Sequence, residues 1–546
     1  MRRTTLIPAL VLAALGWTGL RGAHAQPAAP ASSAELASAA DDTLASVGSI
    51  RLTDVAVQGN TVFSERELAE LTAPLENQDV SFERLQELRH ELSRLYVERG
   101  YVTSGVVIPD QRVTDGVVVL RAVEGELTQV DVEGNHRLRS SAIERRVEHY
   151  VTTPVNVADL QTSLSSLQKD PLVERVNAEL VQGERLGESR LNVAVTERAP
   201  LELSVAAAND RPASIGENRA SVGLTYRGLV GNGDSLSGRF GISEGAGDNA
   251  LFYDVPLTPG GVKLDLAASE QDADIVEEPF KAIDISSRID LWSIGASRSF
   301  VDDGRRALSA QVVFEHKRSE STLLGSPFSF SPGDVDGKAV GSSVVLGTEW
   351  SRNFGTRSLV ARGSLQFGVD VLNPTHNDVG PDGDFTLFFG QVQLVQSLRW
   401  RASRILVRGL LQVADDSLLA MYKLPIGGRY SVRGYRESQL VRDSGFAATA
   451  EWQFPALVDS TGQPRGHLEV ATFVDYGLSV DAVASSFGSR REHIASVGVG
   501  LRWHPLPGLS MELYRGVPLV DLHTTGDSLQ DRGLHYALVY QRAVQP

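Results

Sequence analysis

Two periodicities divide the chain. Between residues 50 and 198 the apolar positions switch repeatedly between strict alternation and helical spacing. Val55 and Val57 alternate with polar neighbours and run into Gly59-Asn60, and Val130 and Val132 do the same before Gly134-Asn135. Both read as strands ending in a Gly-Asn turn. The offset from Gly59 to Gly134 is 75 residues, a sensible module length. Helix signals follow each copy. Ser64 with Glu67, and Ser141 with Glu144, have capping-box spacing, in which each side chain satisfies the other's orphan amide. Leu85, Leu88, Leu92 and Leu95 then share one helical face, with Gly100 at the stop, and Leu160, Leu164 and Leu167 do so in the second copy. Strands are predicted over 102–108 and 117–122, then over 176–181 and 190–196. The order is β-α-α-β-β twice, giving modules over 50–125 and 126–198.

From about Pro200 the helical period vanishes. Gly, Asn, Asp and Ser clusters punctuate segments of roughly ten residues that alternate in polarity, the signature of a transmembrane barrel. Val222, Leu224 and Tyr226 form one such face. Val262, Leu264 and Leu266 form another, as do Val497, Val499, Leu501 and Trp503, and Leu534, Tyr536, Leu538 and Tyr540. A soluble β-sandwich would also alternate. Continuous segments up to the C-terminus and a long polar connection over Asn373–Asp384 favour the barrel. Residues 199–546 accommodate about sixteen antiparallel strands of about ten residues each. Parity also places one charge. In 467–477 the apolar face is Leu468, Val470, Val474 and Tyr476, so Asp475 points into the lumen, where an unpaired carboxylate would be costly.

The first residues modify this picture. Arg2 and Arg3, an apolar run from Leu6 to Leu15, and Ala23-His24-Ala25 predict a secretory signal peptide over 1–25. Its removal takes away Arg2, Arg3 and Arg21 and no acid, lowering the net charge from −16 by three to −19. Such acidity argues against a nucleic-acid partner. The Ala/Ser-rich stretch over 26–49 reads as a linker or a short plug helix. The chain has no cysteine, hence no disulfide or thiolate site. No cofactor and no metal are expected: the His residues are scattered, and Asp334-Val335-Asp336-Gly337 lacks the remaining ligands of a calcium loop. Gly241-Ile242-Ser243-Glu244-Gly245 matches a nucleophile elbow but lacks the following helix, so it reads as a hairpin turn and no enzyme is expected.

Several motifs resemble those of two-partner-secretion transporters, the TpsB family of the POTRA-barrel superfamily. Gly100-Tyr101-Val102-Thr103-Ser104, Ile108-Pro109-Asp110-Gln111 and Val123-Glu124-Gly125 resemble its first POTRA domain. Tyr253-Asp254-Val255-Pro256-Leu257 resembles an early-strand motif, and Tyr514 with Pro518-Leu519 a late-strand pattern. Val432-Arg433-Gly434-Tyr435 resembles the tip of the family's sixth extracellular loop, and Phe473-Val474-Asp475-Tyr476-Gly477 the FxDxG motif of its thirteenth strand.

The resemblance implies an α+β tandem of periplasmic POTRA domains followed by an all-β outer-membrane barrel. A loop around 421–444 would fold inward, with Arg433 meeting Asp475 through a bidentate fork and Tyr435 and Phe473 packed around the pair. Gly434 and Gly477 complete the two motifs. Candidate partner-binding residues in the first module are Tyr101, Val102, Val106, Leu85, Leu88 and Leu92, beside a sheet edge that can take up an extended chain. The implied partner is a large exported protein, haemolysin- or adhesin-like and β-helical, handled unfolded. Outer-membrane lipid is the other partner, with insertion by the barrel-assembly machinery. An outer-membrane insertase of the same superfamily and a passive porin-like channel are the rival readings. The chain departs from the family in its short N-terminal stretch for a plug helix, and in ending Ala543-Val544-Gln545-Pro546, which leaves Tyr540 as the candidate assembly signal.

Overall fold

The computed structural model describes residues 49–457, 467–483, 489–522 and 526–544. The signal peptide and the linker or plug helix expected before residue 49 lie outside them. The chain forms two units that divide between Arg198 and Ala199.

The first unit holds both α+β modules. Module one runs β1 (Ile50–Leu52), β2 (Asp54–Gln58), α1 (Glu65–Thr72), β3 (Gln78–Val80), α2 (Phe82–Glu98), β4 (Gly105–Val107) and β5 (Val117–Val123). Its main sheet has the order β2-β5-β4, with β2 parallel and β4 antiparallel to β5; β1 and β3 pair separately. Module two repeats this as β6 (Glu126–Glu133), α3 (Ser140–Tyr150), α4 (Val157–Gln168), β7 (Val173–Gln182) and β8 (Glu188–Glu197), in the order β6-β8-β7.

The Gly-Asn repeat has a mechanical reason. Asn60 Nδ2 donates to the Phe63 carbonyl at 2.6 Å, and Asn135 Nδ2 to that of Leu138 at 2.7 Å, so each asparagine ties down the turn into the next helix. A glutamate closing each central strand holds the same turn: Glu124 accepts from the Thr61 N–H at 2.7 Å, and Glu197 from the N–H groups of His136, Arg137 and Leu138.

Ser64 and Glu67 form the capping box, and Gly100 follows α2 with φ +90°, its neighbour Tyr101 returning an N–H to the Tyr96 carbonyl at 2.9 Å. Ser141 differs from expectation. Helix α3 begins two residues earlier than a Ser141 cap would place it, at Ser140, with Arg139 as its cap and no side-chain cap bond. Ser141 therefore sits inside the first turn, and Glu197 is what orders the entry.

The second unit is a closed barrel. Its strands are β9 (Leu201–Ala208), β10 (Arg219–Arg227), β11 (Ser235–Ile242), β12 (Ala246–Pro256), β13 (Val262–Asp274), β14 (Ile285–Asp302), β15 (Arg306–Leu323), the two-residue β16 (Ser326–Pro327), β17 (Lys338–Asn353), β18 (Arg357–Gly368), β19 (Thr386–Ser397) and β20 (Arg404–Ala414). An inner hairpin, β21 (Leu424–Ile426) and β22 (Leu440–Arg442), intervenes. The wall then continues with β23 (Ser444–Pro455), β24 (Leu468–Val480), β25 (Arg491–Leu506), β26 (Leu509–Pro518) and β27 (Leu534–Val544).

Setting aside β16, which only extends one strand end, sixteen antiparallel strands make the wall. It closes where β27 pairs with β9, from Ala537↔Ala208 to Val544↔Leu201. Closure leaves no edge, as lipid requires. The alternating faces separate as the sequence predicts: Val474 is 54% exposed on the outer wall and Asp475 is 0% exposed inside. Gly241 and Ile242 end β11, and Ser243 to Gly245 make the turn into β12, where Ser243 Oγ donates to the Ile215 carbonyl at 2.9 Å.

Candidate functional site: a loop tip clamped inside the barrel

The connection between β20 and β23 joins the eleventh and twelfth strands of the wall and contributes the inner hairpin. Leu424, Ile426, Val432, Tyr435 and Leu440 of this loop pack with Ala447 and Ile494 of the wall into a buried apolar cluster. Ser431 Oγ accepts from the Gly427 N–H at 2.8 Å and narrows the turn that presents the tip.

Arg433 is the tip's only charged side chain between Ser431 and Tyr435, and it is 1% exposed. Its Nε donates to Asp475 Oδ2 at 2.8 Å and its Nη2 to Oδ1 at 2.9 Å, a fork on one carboxylate. Its backbone N–H also reaches Oδ2, at 3.0 Å. The remaining Nη1 pairs with Glu451, whose other oxygen accepts from Gln453 Nε2 at 2.5 Å. The guanidinium lies over the Phe473 ring at 3.5 Å and the Tyr514 ring at 4.8 Å.

Gly434 follows with φ +95°, and a Cβ there would stand 2.9 Å from the Gly516 carbonyl carbon. Only glycine fits so close to the wall in that conformation. Its N–H donates to His535 Nε2 at 3.1 Å, which places the ring proton of this buried histidine on Nδ1.

Sequence reasoning and structure agree on which residues meet here, with one exchange. Val432, Arg433, Gly434, Phe473, Asp475 and Gly477 come together. Tyr435 does not pack on the ion pair; its hydroxyl lies 2.8 Å from the Ala495 carbonyl and 2.9 Å from that of Val520. Tyr514 supplies the second ring. Glu451 and His535 were missed. Parity points to both: Thr449, Glu451 and Gln453 are inward on β23, as His535 and Ala537 are on β27.

The six candidates in module one divide. Leu85, Leu88, Leu92 and Val106 are core residues at 0%, 0%, 1% and 4% exposure, with no side-chain surface left for a partner. A partner-binding role for these four is corrected to a packing role. Tyr101 is partly buried against the same core, and Val102 is exposed.

Tandem α+β modules followed by a closed sixteen-strand barrel with a loop clamped inside it define a POTRA-barrel transporter of the outer membrane, its modules on the periplasmic side. Residues 187–503, more than half of the chain, match the family described as haemolysin secretion/activation protein ShlB/FhaC/HecB, and residues 50–125 match the ShlB-type POTRA domain. The chain belongs to that family, the outer-membrane transporters of two-partner secretion. It is 23% identical over 437 residues to the outer membrane transporter CdiB of Dickeya dadantii strain 3937, covering 75% of this chain and 74% of that one. It is 24% identical over 482 residues to the heme/hemopexin transporter protein HuxB of Haemophilus influenzae Rd, covering 80% and 77%. The solved structure of CdiB from Escherichia coli shares the fold, with a TM-score of 0.63 at 18% identity over 92% of this chain and 93% of that one. BamA from Haemophilus ducreyi lacking POTRA domains 1–3 matches at a TM-score of 0.56 and 15% identity, over 90% and 100%.

Proposed function

We propose that the two modules capture an unfolded exported partner and that release of the Arg433 clamp lets this partner pass through the barrel to the cell surface. The partner is a large haemolysin- or adhesin-like protein that becomes β-helical outside the cell, and the transporter itself is inserted by the barrel-assembly machinery. Capture uses backbone pairing. In each module the central strand, β5 or β8, is flanked on both sides, leaving the outer edges of β2 and β4, and of β6 and β7, to accept an extended chain with few sequence demands. Val102, exposed just before β4, offers an apolar contact beside one such edge.

The observation that carries the gating step is where the clamp attaches. A fully buried arginine belongs to a loop, while both of its carboxylates belong to the wall. Polar clamps of this kind have good geometry or none, so the loop has two discrete states rather than a range.

The chain lacks cysteine, so a designed pair is unambiguous. A Cβ built on Gly477 would stand 2.9 Å from Val432 Cγ2, which brings the two Cβ atoms within disulfide reach. The variant Val432→Cys/Gly477→Cys is expected to stop secretion of the partner when oxidised and to recover it on reduction. Undiminished secretion by the oxidised protein would show that the tip need not leave its seat.

A further inference from the structure

Arg515 interrupts an apolar stretch of the outer wall. In β26 the odd-numbered residues face outward, and Leu513 and Val517 are exposed on either side of it. Its register partners are Val499 on β25 and Leu534 on β27. Val497 and Leu501 flank Val499 on the same exposed face. The Arg515 side chain is exposed and, among the described residues, makes no ion pair and no hydrogen bond. Among the other outward arginines, Arg288 pairs with Glu270 and Arg318 with Glu320, whereas Arg298, Arg352 and Arg542 lie toward the periplasmic ends of their strands. A lone guanidinium in a lipid-facing band is costly unless an anion meets it.

Depth and shape narrow the choice of anion. The wall begins on the side of the periplasmic modules, so the connection between its fifteenth and sixteenth strands, β26 and β27, is extracellular. Arg515 is six residues from the periplasmic end of β26 at Leu509 but three from its extracellular end at Pro518. At about 3.4 Å per residue on a tilted strand, its head reaches the outer-leaflet interface more readily than the inner. Beside it an apolar groove of about 610 Å³ runs across Val497, Val499, Val474, Thr472, Trp452 and Ile405. The last two lie toward the periplasmic ends of their strands, so the groove descends from the charge into the membrane.

We propose that this is a binding site for a phosphorylated, acylated glycolipid of the outer leaflet (the lipid A type), with its phosphate on Arg515 and an acyl chain in the groove.

The test uses the full-length protein, heat-modifiable on gels as a check of folding, in phosphatidylcholine nanodiscs doped with lipid A, with phosphatase-treated lipid A, or with phosphatidylglycerol. Lipid retained through detergent exchange is counted by native mass spectrometry. The wild type is expected to retain lipid A over both other lipids. Arg515→Gln is expected to lose roughly ten-fold in retention, the value of one charge-assisted contact. Arg515→Lys is expected to keep part of it, and Arg542→Gln, at the periplasmic end of β27, all of it. Equal retention by Arg515→Gln overturns the site. Equal retention of the dephosphorylated lipid overturns the role of the phosphate, and equal retention of phosphatidylglycerol overturns the outer-leaflet assignment.

Discussion

Replacing Arg433 by alanine leaves two wall carboxylates facing each other without the cation that joins them. Asp475 is 0% exposed and Glu451 1%, so water does not take over the lost contacts. Breaking a buried pair by removing one partner costs about 3–5 kcal/mol, most of it the desolvation of the charge left behind. Arg433 makes its fork on Asp475, a backbone bond to the same carboxylate and a bond to Glu451, which places it toward the upper end of that range. At 1.4 kcal/mol per factor of ten, the ratio of seated to unseated loop falls by roughly two to three and a half powers of ten. The sixteen-strand wall keeps all its pairings, because none of them involves residue 433. Arg433→Ala is therefore expected to insert as a heat-modifiable barrel, to show raised and noisier conductance in planar bilayers, and to secrete its partner poorly, since a loop with no seat can no longer alternate between its seated and released states. Asp475→Ala should resemble it, and Glu451→Ala should be milder, one hydrogen bond against three. Conductance and secretion like the wild type in Arg433→Ala, or a Glu451 effect exceeding that of Asp475, would refute the reasoning.

Tyr514→Ala removes one ring face from the guanidinium and should cost about 1–2 kcal/mol of loop seating, seen as an intermediate conductance. Gly434→Ala should unseat the tip more strongly than its size suggests, because a positive φ costs about 1–2 kcal/mol before the clash with Gly516 is counted; protease sensitivity of the loop reports it. In the periplasmic unit, hydrogen bonds from Ser64, backbone first and hydroxyl second, and from Arg99 hold the Glu67 carboxyl down at about 2 against 4.5. A depressed carboxyl stabilises the folded form above about pH 4.5 and loses that contribution as pH falls toward 2. Ser64→Ala should lower thermal stability by about 1 kcal/mol at neutral pH, and the difference from wild type should shrink across that window. Val102→Asp should reduce secretion while leaving module one folded, whereas Leu88→Asp should unfold it, distinguished by proteolysis of the full chain.

The strand count and the inward parity of Asp475 were legible because alternation and length are local quantities. What Asp475 would meet was legible only through resemblance, and even then Glu451 went unnoticed. Its partner choice depends on how β23 and β24 register around a closed cylinder, and no window of sequence contains that. Tyr435 was misplaced for a similar reason: adjacency to Arg433 in the chain says nothing of direction once Gly434 turns the backbone. The apolar face of α2 shows a different limit. Leu85, Leu88 and Leu92 carry the same spacing whether a helix covers its own sheet or receives a visitor, and only burial separates the two. Ser141 matched the capping box in spacing, yet Glu197, some 56 residues later, organises that helix entry.

The groups that clamp Arg433 and Gly434 all come from strands that follow them in the chain: Glu451 from β23, Phe473 and Asp475 from β24, Tyr514 and Gly516 from β26, and His535 from β27. The tip is thus made before the groups that clamp it. During biogenesis the clamp on the tip is completed only when the carboxy-terminal strand has arrived and the cylinder has closed. Seating then reports completion, and a chain truncated before His535 would offer its loop only a partial dock.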